Sequence, residues 1–212
     1  MTQRLVFAGD SITDAGRDRS DDGSYGDGYV ALIVEALAED TEAVVLNRGI
    51  AGDRVVDLER RWQRDVLDAR PDILTVYVGV NDMWRRFDSD DPTSAADYEA
   101  GYRRLLDAVD AAARLLLIEP FFLPLNDDQG AWTADLDEKR AVVARIAEDT
   151  GARLVPLQDT MSRAAAEHGV AAIAPDGVHP TPAGSRLIAD AWLAAYASVT
   201  GDDTRAAEAG AR

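Results

Sequence analysis

The sequence predicts an α/β protein: a parallel five-stranded sheet covered by helices on both faces, in three layers. Three observations predict it. Short apolar runs alternate with stretches of helical periodicity along the chain. Five such runs occur with helical segments between them, and parallel strands need crossovers of that kind, which are right-handed. The 212 residues suit one domain, and a chain of this size buries roughly 70% of its unfolded surface without disulfide or metal staples.

The elements follow in order. Leu5 to Ala8 reads as the first buried strand and Tyr29 to Ala38 as a helix. Ala43 to Leu46 is strand-like and Val55 to Leu67 helical, then Ile73 to Val78 is a β-branched strand. Asp97 to Ala113 carries Tyr98, Tyr102, Leu105, Leu106 and Val109 on one stripe, the mark of an amphipathic helix. Leu115 to Ile118 is the fourth strand. Asp135 to Thr150 is a helix ended by Gly151 as its C-terminal cap. Leu154-Val155 is a short fifth strand. Met161 to Glu167 and Pro182 to Tyr196 are helices, the second with Thr181 as N-cap and Pro182 at its first position. Phe87 to Pro92 and Leu123 to Ala131 are the longest stretches without a strand or helix pattern. Residues 1–199 read as one domain, and 200–212, with no apolar face, as a disordered tail.

Composition removes several kinds of chemistry. There is no cysteine, which excludes disulfides, thiolate metal sites and a cysteine nucleophile. The two histidines, His168 and His179, cannot build a multi-histidine zinc site. Acidic residues outnumber basic ones 39 to 22, for a net charge of −17, which repels phosphate backbones and anionic lipid. Nucleic acid and membrane are therefore not expected as partners, and a neutral or weakly charged small molecule is. The start of the chain lacks the long apolar core of a signal peptide, and no run is long enough to span a bilayer, so a cytoplasmic protein is expected.

Ligands of open α/β sheets gather at the carboxyl ends of the strands. Gly9-Asp10-Ser11-Ile12-Thr13-Asp14 follows the first strand, Asn47-Arg48-Gly49-Ile50-Ala51-Gly52 the second and Gly79-Val80-Asn81-Asp82 the third. Asp176-Gly177-Val178-His179-Pro180 precedes the last helix. A serine hydroxyl needs a base within hydrogen-bond reach to become a nucleophile. His179 is one of two candidates for it, and Asp176, three residues earlier on a glycine turn, can orient it. The backbone N–H groups of Ser11 and Gly52 and the Asn81 amide are candidate donors to a developing oxyanion. Each cluster alone has an ordinary reading, as a turn, a cap or a helix entry. Their order at successive strand ends is what carries the signal.

Together the four clusters resemble the SGNH branch of the GDSL hydrolase family over nearly the whole chain, from Phe7 to about Trp192. The resemblance implies a flavodoxin-like sheet in the order 2-1-3-4-5. It makes Ser11 the nucleophile, His179 the general base and acid and Asp176 its partner, with Ser11, Gly52 and Asn81 forming the oxyanion hole. The longer strings GDSITDAGR, GDGYV, NRGIAGDRVVDLERRWQRDV, GVNDMWRR, EPFFLP and DGVHPTPAG are similar to an intracellular subgroup that includes acetylxylan esterases. They imply a serine esterase that removes acetyl groups from carbohydrates such as xylo-oligosaccharides, with no cofactor and no metal. Some relatives assemble into multimers, which leaves a homo-oligomer open. A lysophospholipase, lipase or thioesterase of the same fold is the alternative, with an inactive carbohydrate-binding relative behind it. The Gly-x-Ser-x-Gly elbow of α/β-hydrolases is absent, as is the third glycine of a dinucleotide-binding loop.

Asp10, Tyr25, Asp27, Trp84 and Arg85 are the expected substrate contacts, Trp84 and Arg85 on the loop that leaves the sheet edge after Asn81. Trp62 reads as core, and Phe121 and Phe122 as core or pocket. His168 sits at a helix end, where the helix dipole accounts for it. Asp82 is expected to fix its own loop by local hydrogen bonds. The loops are polar and acidic, which favours short acyl groups.

Overall fold

A computed structural model of the chain describes residues 2–38 and 43–210, with side chains as far as 201. The chain runs β1 (Gln3–Gly9), α1 (Ser11–Asp14), α2 (Tyr29–Leu37), β2 (Ala43–Gly49), α3 (Val55–Trp62), β3 (Ile73–Tyr77), α4 (Val80–Asp88) and α5 (Ala95–Asp107). It continues through β4 (Arg114–Ile118), α6 (Gly130–Thr150), β5 (Arg153–Val155), α7 (Gln158–His168), α8 (Val170–Ile173) and α9 (Pro182–Gly210). The strands form one parallel sheet in the order β2-β1-β3-β4-β5, the order expected.

Strand alternation sorts the core into two layers. Leu5 and Phe7 of β1 face one side with Tyr29, Ile33 and Trp192. Val6 and Ala8 face the other with Leu58, Trp62, Tyr102 and Val143. The polar ends of the large aromatics are partnered: Trp192 Nε1–H donates to Thr75 Oγ1 at 2.8 Å, and Trp62 Nε1–H to the Leu105 carbonyl at 2.8 Å. Trp62 is thus a core residue, as expected.

Four elements depart from the expectation. α4 replaces a loop. α6 starts at Gly130, earlier than the apolar pattern suggests. α5 ends at Asp107, where a helix to Ala113 was expected, because the Asp110 carboxylate accepts the Ala112 N–H at 2.9 Å and turns the chain. The helix expected to end at Leu67 loses its α-helical pitch after Trp62, and Gln63–Leu67 is a π-helical turn. The cap calculus at α9 holds: the Gly184 N–H donates to Thr181 Oγ1 at 3.2 Å. The tail expected over 200–212 falls where α9 continues to Gly210, and residues 211–212 lie outside the described residues. Among the described residues, no helix is long and apolar enough to cross a membrane.

Candidate active site

Parallel register brings the first three clusters to one level. Gly9 at the end of β1 is paired with Gly49 of β2 and with Tyr77 of β3. The Ile50 N–H donates to the Gly9 carbonyl at 3.1 Å, so the turn after β2 begins against the turn after β1. Asp10 then caps α1, its Oδ1 accepting the Ile12 N–H at 3.0 Å, and Ser11 opens that short helix.

Ser11 Oγ lies 2.9 Å from His179 Nε2, although 168 residues separate them. His179 Nδ1 lies 2.6 Å from Asp176 Oδ2. A carboxylate only accepts, so Nδ1 donates to it, which leaves Nε2 of the neutral ring as acceptor for the serine hydroxyl. Asp176 Oδ1 accepts the N–H groups of Val178 at 3.0 Å and of His179 at 2.7 Å. Partial burial pushes the Asp176 carboxyl up, but the His179 ring and these two backbone donors outweigh it and hold the group below its ordinary range. Both side chains remain nearly half exposed, 47% for His179 and 44% for Asp176, so the pair opens to solvent. The structure therefore brings together Ser11, Asp176 and His179.

Gly52 stands at φ +88, a left-handed conformation that glycine adopts without strain, and it is exposed at the rim. The loop is tied back by the Ala51 N–H, which donates to Asp14 Oδ2 at 2.9 Å. Asn81 is buried in the first turn of α4, and its Nδ2 donates to the Asp53 carbonyl at 3.1 Å. An amide nitrogen carries two hydrogens, and this bond uses one. The β3–α4 turn that carries Asn81 passes through Gly79 at φ +136, where a side chain would meet the Tyr98 hydroxyl.

The five expected substrate contacts separate. The Trp84 ring lies 6.0 Å from the His179 ring and 6.4 Å from Trp132, which stacks on Phe87 at 5.1 Å and Phe122 at 5.8 Å. Trp84 thus ends an aromatic row beside the imidazole, carried by a helix and not by a loop. Arg85, on the same helix, is ion-paired to Asp88. Asp27 lines a hollow of about 180 Å³ with Ser11, Ile12, Ala15, Gly28, His179 and Pro182. Tyr25 is half-buried, and its carbonyl accepts from Asn47 Nδ2 at 3.0 Å, which shapes the loop leading to Asp27. Asp10 is the exception: it is 1% exposed inside the α1 cap, so its side chain holds the turn and does not face a substrate. Phe121 and Phe122 are buried as well. Two larger hollows, about 620 and 540 Å³, lie at the opposite, amino-terminal edge of the sheet, away from every polar cluster.

Sequence reasoning missed the support behind the site. Asp82 does not bond locally; its carboxylate accepts the N–H of Val55, 27 residues away. Lys139 is wholly buried on α6 and paired with Asp135, which also accepts from Arg86 at 2.7 Å. Among the described residues, no group of three or more His, Asp or Glu side chains is placed to hold a metal ion.

Residues 7–187 match the GDSL-like lipase/acylhydrolase family. The chain is 35% identical over 203 residues to an acetylxylan esterase of Geobacillus stearothermophilus, covering 90% of this chain and 92% of that one. The crystal structure of that organism's acetylxylan esterase Axe2 superposes with a TM-score of 0.84 at 34% identity, covering 91% of this chain and 93% of that one. Two further Axe2 structures, at TM-score 0.85 and 33% identity, are of catalytic mutants: one replaces a serine and the other an aspartate with alanine.

Proposed function

Since this chain belongs to the GDSL-like lipase/acylhydrolase family and is a carboxylic ester hydrolase, we propose that Ser11, His179 and Asp176 are its catalytic triad and that it deacetylates carbohydrates such as acetylated xylo-oligosaccharides. The observation that carries this reading is the unbroken chain Ser11 Oγ–His179–Asp176, at 2.9 and 2.6 Å, on the carboxyl edge of the sheet.

In this mechanism Ser11 Oγ attacks the acetyl carbonyl as His179 Nε2 takes its proton. Asp176 stays ionised, holds the ring and stabilises the imidazolium. The Ser11 and Gly52 N–H groups and the Asn81 amide stabilise the oxyanion. His179 then protonates the sugar oxygen as it leaves, and water cleaves the acetyl-enzyme by the same route. Two features support a sugar ester over a lipid ester. Trp84, partly exposed and ending the aromatic row beside His179, is the kind of side chain a pyranose ring packs against. The hollow at Ser11 is small, about 180 Å³, which suits a short acyl group.

Acetate release from acetylated xylo-oligosaccharides, with nitrophenyl esters from acetate to decanoate and a lysophospholipid alongside, tests the substrate. The expected profile peaks at acetyl; a preference for eight or more carbons overturns it. Ser11→Ala is expected to lower kcat at least about 10³-fold and to abolish labelling by a fluorophosphonate.

A further inference from the structure

We infer that Asp82 is a positioning residue for the oxyanion hole: its buried carboxylate fastens the start of α3, and with it the Gly52 loop, to the turn of α4 that carries Asn81. The inference rests on the triad and oxyanion hole proposed above.

Asp82 is 0% exposed. Its two oxygens lie 3.4 and 3.2 Å from the Val55 nitrogen. Val55 is the first residue of α3, and a first-turn N–H has no partner within its own helix. The neighbouring Arg54 N–H is taken by Asp57 Oδ2 at 3.0 Å, so a separate acceptor must serve Val55, and Asp82 supplies it from another helix. One residue earlier, Asn81 Nδ2 donates to the Asp53 carbonyl at 3.1 Å. Consecutive side chains of α4 therefore grip residues 53 and 55. Gly52, the backbone donor of the proposed hole, is adjacent to the gripped segment, and Asn81, the side-chain donor, belongs to the gripping one. The spacing between the two donors is set by this double attachment.

Asp82 is braced in turn. Thr93, on the α4–α5 connection, and the Lys139 and Arg54 charges favour its ionised form. Burial nonetheless raises its pKa to about 7, so at neutral pH much of it is a neutral acid. A neutral acid still accepts through its carbonyl oxygen, and so does an amide. The attachment thus requires an acceptor at this position and not a charge.

Oxyanion-hole geometry acts on the transition state more than on substrate binding, so the loss should fall on kcat. The experiment is steady-state hydrolysis of nitrophenyl acetate, with active sites counted by exhaustive fluorophosphonate labelling so that unfolded protein does not enter kcat. Asp82→Ala is expected to lower kcat per site on the order of 10²-fold, with KM within roughly twofold. Asp82→Asn, which keeps the acceptor, should restore kcat to within about threefold. If Asp82→Ala does not fold, Val55→Pro removes the donor instead, at a first helical position that accepts proline. It should reproduce the loss in kcat. The inference is overturned if kcat per site is unchanged in Asp82→Ala or Val55→Pro, or if Asp82→Asn falls as far as Asp82→Ala. Ser11→Ala, which leaves no site to label and is read as activity per milligram of folded protein, separates the two readings. If it remains active, the triad fails; if it is inactive while Asp82→Ala is unimpaired, only the positioning role fails.

Discussion

Asp176 and Asp10 are the same kind of residue at the same edge of the sheet, and their surroundings drive them in opposite directions. Asp176 is nearly half exposed and accepts from the His179 ring and two backbone N–H groups, which hold its carboxyl low despite the penalty of partial burial. Asp10 is wholly buried; its Oδ1 accepts from Ile12, and its Oδ2 has no hydrogen-bond partner. Burial dominates there, reinforced by the Asp82 and Asp53 charges, and raises its pKa to about 7. Donors and solvent keep one carboxylate ionised, as the partner of an imidazolium proposed for it must be. Enclosure leaves the other close to neutral, as a cap inside the fold can be. The reactive edge is thus open and charge-stabilised, while the layer beneath it is closed.

The sharpest way to break this contrast is to remove the charge at Asp176. In Asp176→Asn, Oδ1 can still accept from the Val178 and His179 backbones, so the turn should survive. The amide no longer fixes the ring tautomer or stabilises the imidazolium, and kcat is expected to fall about 10³- to 10⁴-fold. Steady-state kinetics at neutral pH checks it. A loss below tenfold means that the carboxylate only shapes the turn.

The same substitution at the buried carboxylate should act on stability. A folded pKa near 7 lies far above the roughly 3.9 of an unfolded aspartate. The folded state then binds the extra proton between those values. The resulting stability is fully present below about pH 4 and is lost as pH rises through 7. Asp10→Asn keeps the oxygen that accepts from Ile12 but has nothing to ionise. Its stability relative to the parent should therefore grow from pH 5 to pH 8, by on the order of 3 kcal/mol. Denaturant melts at several pH values read this directly. A gap that stays constant or narrows with rising pH would show that Asp10 is ionised in the folded protein.

This contrast also separates what could be read from the sequence from what could not. The proposed triad of Ser11, Asp176 and His179 is legible because a nucleophile, a base and its partner each require a particular residue type, and all three lie at turns where an α/β sheet places its functional groups. Thr181 and Pro182 mark the start of α9 by chemistry that acts locally. α4 was hidden because its buried residues are Val80, Asn81, Asp82 and Met83, consecutive and half of them polar, so no apolar stripe appears. The burial of Asp10 was hidden for a different reason. A capping aspartate reads the same whether its free oxygen meets water or the protein interior, and what closes over it here comes from distant parts of the chain. Asp82 looked like a residue that bonds its own loop, and its partner lies 27 positions away. Local chemistry was legible, and enclosure by remote segments was not.

The smallest expected effect lies on the open side of the comparison. Trp84 ends the aromatic row and is the member whose ring lies closest to His179 in the described contacts, at 6.0 Å. It rides on α4, one turn beyond Asn81, so it is held by a rigid element and not by a loop. A sugar stacked on that ring contributes binding that a nitrophenyl acetate, which lacks the sugar, cannot use. Trp84→Ala should raise KM for acetylated xylo-oligosaccharides roughly fivefold, about 1 kcal/mol. kcat/KM for nitrophenyl acetate should stay within roughly twofold. A common loss on both substrates would mean that the indole instead supports the imidazole, and the row would then belong to the catalytic edge and not to substrate recognition.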